Sequence, residues 1–318
     1  MNKNFSNYLF FALMVSGTLI TLSSNNWIMM WVGLEINMVS FLPIIQSFKS
    51  SKSAEASMIY FLVQSLGSML LLFSVISKAQ PQELMKLAII IKMGAAPAHF
   101  WMIEIMEKMP WINCLMLMTW QKLAPMCMII QMNYLTVLAL VSVVTGAIGG
   151  LNQTSIRKMM AFSSVNHIGW MLAMMENKSF SFIKYLLIYI ILMILLIMTL
   201  MKKNIFYMPQ IPESTSKLEK INLGIMMLSI GGLPPFLGFG AKWLAIQELI
   251  SINMNFMVTV MIMFSMITLF FYIRTISTSF MMESSFLKMK INFKMQKNDM
   301  SMILMNLFLL PVIMIILI

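Results

Sequence analysis

Four ionisable side chains stand where so apolar a sequence should have none. Lys92 lies in LAIIIKMGAAP, Lys122 in LMLMTWQKLAP, Lys242 in PPFLGFGAKWLAI and Glu35 in WVGLEINMVSF. Each sits inside a hydrophobic stretch, where an ionisable group costs about 2.5–3.5 kcal/mol on insertion scales. Three cations and one anion cannot all pair. A buried lysine without an anion tends to give up its proton, because burial disfavours the charged form. A group that is neutral or charged near neutral pH can carry a proton, so these residues point to proton transfer. Internal salt bridges that only help helices assemble remain the alternative.

The surrounding backbone points the same way. Lys92 is followed by Gly94, Ala95, Ala96 and Pro97, and Lys122 by Pro125. Lys242 is preceded by Gly231, Gly232, Pro234, Pro235, Gly238 and Gly240. Proline and glycine interrupt the helical ladder and leave amides and carbonyls unpaired. A membrane tolerates that only where protein or a water-lined cavity satisfies them. His167, in SSVNHIGW, is a candidate relay because imidazole titrates near neutrality; a hydrogen bond to a backbone carbonyl is the equal alternative. His99 reads as structural, and Glu55 as a residue that caps and stabilises a helix start. Trp27, Trp31 and Trp111 read as interfacial anchors.

Membrane helices must position these residues. Of 318 residues, 60% are hydrophobic and 10% charged, against about 25% charged in soluble domains. That is too little charge to cover a water-facing surface, and disorder needs low hydrophobicity with high net charge. About eleven apolar stretches of bilayer length follow: 6–23, 27–46, 54–77, 84–101, 112–133, 135–150, 157–174, 180–201, 219–250, 255–278 and 299–318. The predicted fold class is therefore all-α integral membrane. The stretch 219–250 is too long for one straight span and reads as two half-helices. If the first ten spans divide into two fives, the broken stretch is the fourth of each, a signature of inverted repeats. That gives 1–134 as a first repeat, 135–278 as a second, 279–298 as a basic connection and 299–318 as a terminal transmembrane helix. The start MNKNFSNYLFFALM reads as a retained first helix, not a cleaved presequence.

With the N-terminus on the inner side, the inner connections hold fifteen basic residues and the outer ones four: Lys78, Lys86, Lys178 and Lys184. This positive-inside bias accounts for most of the net charge of +11 and makes nucleic-acid binding unnecessary. Cys114 and Cys127 have no CxxC partner and the two histidines are scattered, so no disulfide framework or metal site is expected. The 41 methionines exceed what packing demands and point to an organelle code that reads ATA as Met.

The motifs WVGLEINMVSFLP, KMGAAPAHFW, MTWQKLAP, GGLNQTSIRKMMAFSSVNHIGWM and GGLPPFLGFGAKW, in this order, resemble the chain 2 family of mitochondrial NADH-ubiquinone oxidoreductase, from the membrane arm of respiratory complex I. The resemblance runs from Gly17 to about Tyr272. It implies an antiporter-like fold; animal members have eleven helices, lacking the first three of the fuller fourteen. It assigns Glu35 to the acidic member of a carboxylate–lysine pair, Lys92 to its partner, Lys122 to the central connecting lysine and Lys242 to the lysine on the second broken helix. It implies a mitochondrial inner-membrane protein with its N-terminus on the matrix side. The partners implied are other membrane-arm and supernumerary subunits and lipids, with no nucleic acid. No Gly-x-Gly-x-x-Gly follows a strand and no cysteine set fits iron–sulfur. NADH, FMN, iron–sulfur clusters and ubiquinone are therefore expected in partner subunits, with no cofactor here. A stand-alone cation/proton antiporter and a non-transporting scaffold are the alternatives.

Overall fold

The computed structural model describes residues 3–47, 50–77, 81–215 and 217–281. Among these residues the chain is helical apart from one isolated bridge, between Ser155 and Tyr207. The expected helix 299–318, all but the first residues of the 279–298 connection, and the loop residues Lys49 and Lys78 lie outside the described residues. The helices fall into two compact units, Met1–Leu135 and Thr136–Ile318.

In the first unit, α1 (Lys3–Ser23), α2 (Trp27–Gln46) and α3 (Ser51–Ile76) are continuous. The fourth stretch is broken into α4 (Pro81–Met93) and α5 (Phe100–Lys108), and the fifth into α6 (Trp111–Met118) and α7 (Trp120–Ile129). In the second unit, α8 (Thr136–Gly150), α9 (Ile156–Met175) and α10 (Ser181–Lys202) are followed by the short α11 (Gln210–Ser214). A broken pair comes next, α12 (Lys217–Gly231) and α13 (Leu237–Ser251), and then α14 (Asn255–Met281). Among the described residues, five helices are long and apolar enough to cross a bilayer unaided: Ser6–Ser23, Trp27–Gln46, Ser51–Ile76, Ser181–Lys202 and Asn255–Met281.

Several boundaries differ from the sequence reading. The fourth stretch runs to Lys108 rather than 101, because the break at Gly94 leaves room for a second half-helix. The fifth divides at Thr119, where ψ is −70° and the hydroxyl donates to the Leu115 carbonyl at 2.7 Å. Pro125 follows inside α7; it offers no amide proton and its ring crowds the carbonyl of Gln121. Glu55 is no cap: Ser50 and Ser53 form the capping box of α3. Glu55 instead accepts from Lys108 at 2.5 Å, which Glu104 also holds at 2.8 Å. Trp111 is buried, not interfacial. Lys86, assigned above to an outer connection, is buried within α4, and Lys220, one of the fifteen inner basic residues, is buried within α12.

On two helices the polar face turns inward and the apolar face outward. The inward face of α3 carries Ser53, Ser57, Tyr60, Gln64 and Ser68, while Phe61, Leu66, Met69 and Phe73 point outward. The inward face of α14 carries Ser265, Thr268, Tyr272, Thr275 and Ser279, with Met263, Met266 and Phe270 outside. An apolar exterior around a hydroxyl-lined interior is what a hydrocarbon solvent selects, since each polar group must be satisfied within the protein.

Glycines bring the leading helix pair of each unit into backbone contact. A Cβ on Gly33 of α2 would lie 2.7 Å from the Gly17 carbonyl oxygen of α1. One on Gly146 of α8 would lie 2.6 Å from the Asn166 amide nitrogen and 2.8 Å from the Phe162 carbonyl oxygen of α9. Apolar tails surround such helices as readily as apolar side chains do, so close van der Waals approach at small residues supplies much of their association. Gly146→Val should therefore sharply lower the amount of folded chain in its membrane. Gly240→Ala, whose Cβ would meet nothing within 4 Å, should leave that amount unchanged. Quantitative immunoblotting of isolated membranes measures both.

Candidate functional site

Lys92 sits in the last turn of α4, which Gly94 terminates. With φ at +69°, Gly94 adopts the left-handed conformation that closes a Schellman cap. Its amide reaches the Ile91 carbonyl at 3.2 Å, and the Ala95 amide reaches Ile90 at 3.2 Å. Two carbonyls exposed by the break find side-chain donors. Trp101 Nε1 donates to Ile91 at 3.1 Å, and Gln64 Nε2 to the Lys92 carbonyl at 3.2 Å. The Lys92 side chain is 5% exposed and runs past Gly67, where a Cβ would come within 3.0 Å of its Cγ. An ammonium there complements the negative end of the α4 dipole.

Glu35, half-buried midway along α2, acts electrostatically on both Lys92 and Tyr60. A small cavity reaches the lysine, lined among others by Asn37, Tyr60, Gln64, Lys92, Gln121 and Pro125. Lys122 is 2% exposed and stands just past the Thr119 break, with its amide on the Thr119 carbonyl at 3.3 Å. The cavity at Lys92 is lined by its neighbour Gln121 rather than by Lys122 itself.

In the second unit, Gly232 ends α12 with φ at +82° and the same cap: its amide on Ser229 at 3.0 Å, and the Leu233 amide on Leu228 at 3.3 Å. Gly238 lets α13 fold back, since a Cβ there would collide with the Ser229 carbonyl oxygen. Lys242, 6% exposed on α13, returns across the break and donates to the Gly231 carbonyl at 2.6 Å. Its Nζ lies 5.9 Å from the centre of the Trp170 ring, within reach of a cation–π attraction. Lys92 and Lys242 thus approach the break from opposite sides. The first belongs to the half-helix that ends there, the second to the half-helix that begins beyond it. Lys242 brings its amine to the carbonyl end of α12, and Lys92 lies in the last turn of α4.

His167 is buried on α9, and its Nδ1 is 2.8 Å from the Tyr185 hydroxyl. The Tyr189 ring lies 4.9 Å away, centre to centre. One hydrogen-bond partner of the ring is therefore a phenol. His99 contacts the Pro97 carbonyl at 3.1 Å, in keeping with its structural reading.

Sequence reasoning missed the neutral polar groups around Lys92: Asn37, Tyr60, Gln64, Gln121 and the Trp101 indole. Asn37, Gln64 and Gln121 each interrupt an apolar stretch, a signal lost when only ionisable residues are screened.

Residues 24–78 and 81–268 match the family model described as NADH:quinone oxidoreductase/Mrp antiporter, TM. NADH-ubiquinone oxidoreductase chain 2 of Anopheles gambiae is 39% identical over 95% of this chain and 94% of its own length. The Aedes aegypti protein of that name is 41% identical over 86% and 85%. Among solved structures, a chain of respiratory complex I from Thermus thermophilus with bound Aureothin superposes with a TM-score of 0.80 at 19% identity, covering 98% of this chain and 77% of that one. A chain of the Mrp complex from Dietzia sp. DQ12-45-1b gives 0.73 at 20% identity, covering 84% and 59%. The fold is thus the antiporter-like membrane fold, and by identity across nearly its whole length the chain belongs to the NADH-ubiquinone oxidoreductase chain 2 family.

Proposed function

We propose that this chain is the proton-translocating membrane subunit of NADH:ubiquinone oxidoreductase, respiratory complex I. The observation that carries the reading is the pair of buried lysines at carbonyl-rich helix breaks, Lys92 in one unit and Lys242 in the other. In this reading a proton on Lys92 is held by the negative end of the α4 dipole and the field of Glu35, against the cost of burial. Weakening of that hold, by movement of Glu35 or of the α4 end, releases the proton toward Lys122. It then passes to Lys242, with the His167–Tyr185 pair as a candidate relay. Proton loss from Lys242 costs the bond to the Gly231 carbonyl, so transfer and the packing of the break are coupled. NADH, FMN, iron–sulfur clusters and ubiquinone act in partner subunits, and this chain needs no cofactor for proton transfer.

The chain is a multi-pass mitochondrial membrane protein. We place it in the inner membrane with its N-terminus toward the matrix, on the strength of the basic connections. The span order supports reading 1–134 and 135–278 as inverted repeats. Other membrane-arm subunits, supernumerary subunits and lipids cover its apolar exterior. The likeness to the Mrp complex favours a second reading, a cation/proton antiporter that works outside a redox complex. Metal-cation flux through the purified chain alone would support it.

Three measurements test the primary reading. Lys122→Ala should assemble yet lower proton transfer per assembled complex about tenfold or more, as loss of a proton carrier does; normal transfer refutes the path. Lys242→Arg keeps a donor for the Gly231 carbonyl, but a guanidinium does not release its proton. It should assemble and fail to pump, as NADH-driven acidification by reconstituted vesicles will record. Membrane-impermeant amine labelling of sealed inner-membrane vesicles should reach Lys202 and Lys203 from the matrix side and Lys178 and Lys184 from the opposite side. Labelling of both pairs from one side overturns the topology.

A further inference from the structure

We propose that Gln121, together with Tyr60 and Asn37, positions the water through which a proton reaches Lys92, so that this neutral triad gates the lysine. The proposal rests on the proton-transfer reading above. The three side chains come from three helices and are joined by two hydrogen bonds that meet at Gln121. The Tyr60 hydroxyl donates to Gln121 Oε1 at 3.3 Å, and Gln121 Nε2 donates to Asn37 Oδ1 at 3.1 Å. All three line the cavity that reaches Lys92, together with Gln64. That cavity holds about 10 Å³ of free space, close to what one ordered water needs. An ordered water also needs two to four polar partners. The Tyr60 hydroxyl, the Asn37 and Gln64 amides and the Lys92 amine supply that number.

Gln121 is the member able to move. Its amide nitrogen also donates to Met14 Sδ at 3.3 Å, and a thioether is a weak acceptor. Exchanging sulfur for a water oxygen therefore costs little. Tyr60 is held rigidly, by an edge-on contact with Phe41 at 5.3 Å and one with Trp101 at 6.1 Å. Trp101 in turn bonds the Ile91 carbonyl beside Lys92, so one packed cluster fixes the hydroxyl relative to the lysine. A proton arriving at Lys92 breaks one water O–H bond and forms one Nζ–H bond. The O–H bond that breaks belongs to the water in its protonated form, so delivery leaves a neutral water in place, and the amides keep their fixed donor and acceptor roles. Gln121 is accordingly a positioning residue, not a proton carrier.

The test uses the intact respiratory complex carrying Tyr60→Phe or Gln121→Leu, with Lys122→Ala in parallel. Tyr60→Phe keeps the aromatic packing and removes one hydroxyl, so it stands as the probe even if Gln121→Leu fails to assemble. Both variants should lower coupled turnover per assembled complex about three- to tenfold, the worth of one positioning hydrogen bond. The solvent deuterium isotope effect on turnover should rise, since proton delivery becomes slower than the other steps. Reduced assembly with an unchanged rate and isotope effect per complex marks a structural role and overturns the gate. Unchanged transfer in these variants while Lys122→Ala blocks it overturns the gate and leaves the proton path standing. Unchanged transfer in Lys122→Ala as well removes the path and the gate together.

Discussion

A backbone carbonyl without a donor costs several kcal/mol in hydrocarbon, and a helix end exposes several at once. Each unit of this chain places such an end inside its broken fourth stretch, and the surrounding architecture answers that demand. Left-handed Gly94 and Gly232 fold the last amides back onto the preceding turn. Gln64 and Trp101 bring donors from neighbouring helices in one unit, and Lys242 brings its ammonium in the other. The functional groups are thus part of the structural solution. The lysines stabilise negative helix ends, and those ends make it less costly to keep a charge out of water.

Glycine then decides how near the helices stand. Backbone contact at Gly17 and Gly33, and at Gly146 with the α9 backbone, fixes the leading helices of the two units. Gly67 admits the Lys92 stem, and Gly238 lets α13 return against α12. Large apolar side chains are found both outside, as Met69 and Phe270, and in the core, as Phe41, Trp170 and Phe271. Close helix approach comes from where side chains are missing, and the polar interior from the hydroxyl faces of α3 and α14.

Much of this was legible because a membrane makes exceptions conspicuous. Lys92, Lys122, Lys242 and Glu35 stood out against apolar stretches, and the glycines and prolines beside them announced the breaks. Less legible were features set by long-range contact. Glu55 meets Lys108 across 53 positions, and His167 meets a tyrosine on the next helix. The division at Thr119 was hidden because Pro125, the visible breaker, lies well inside α7 while the interruption falls upstream. The neutral cluster of Asn37, Tyr60 and Gln121 escaped because amides and phenols inside apolar segments look unremarkable until the helices bring them together.

The 2.6 Å contact between the Lys242 ammonium and the Gly231 carbonyl bears on ion selectivity. A carbonyl-rich end of a broken helix is the kind of place where a transporter coordinates a dehydrated sodium ion. Here a tethered ammonium occupies that coordination position and contributes its own positive charge. A metal cation entering would have to displace it and bear the repulsion of a neighbouring ammonium in a low-dielectric setting. A proton needs no vacant shell, because it travels on the ammonium itself. The geometry of this one bond therefore disfavours a metal cation at that carbonyl for as long as Lys242 is protonated.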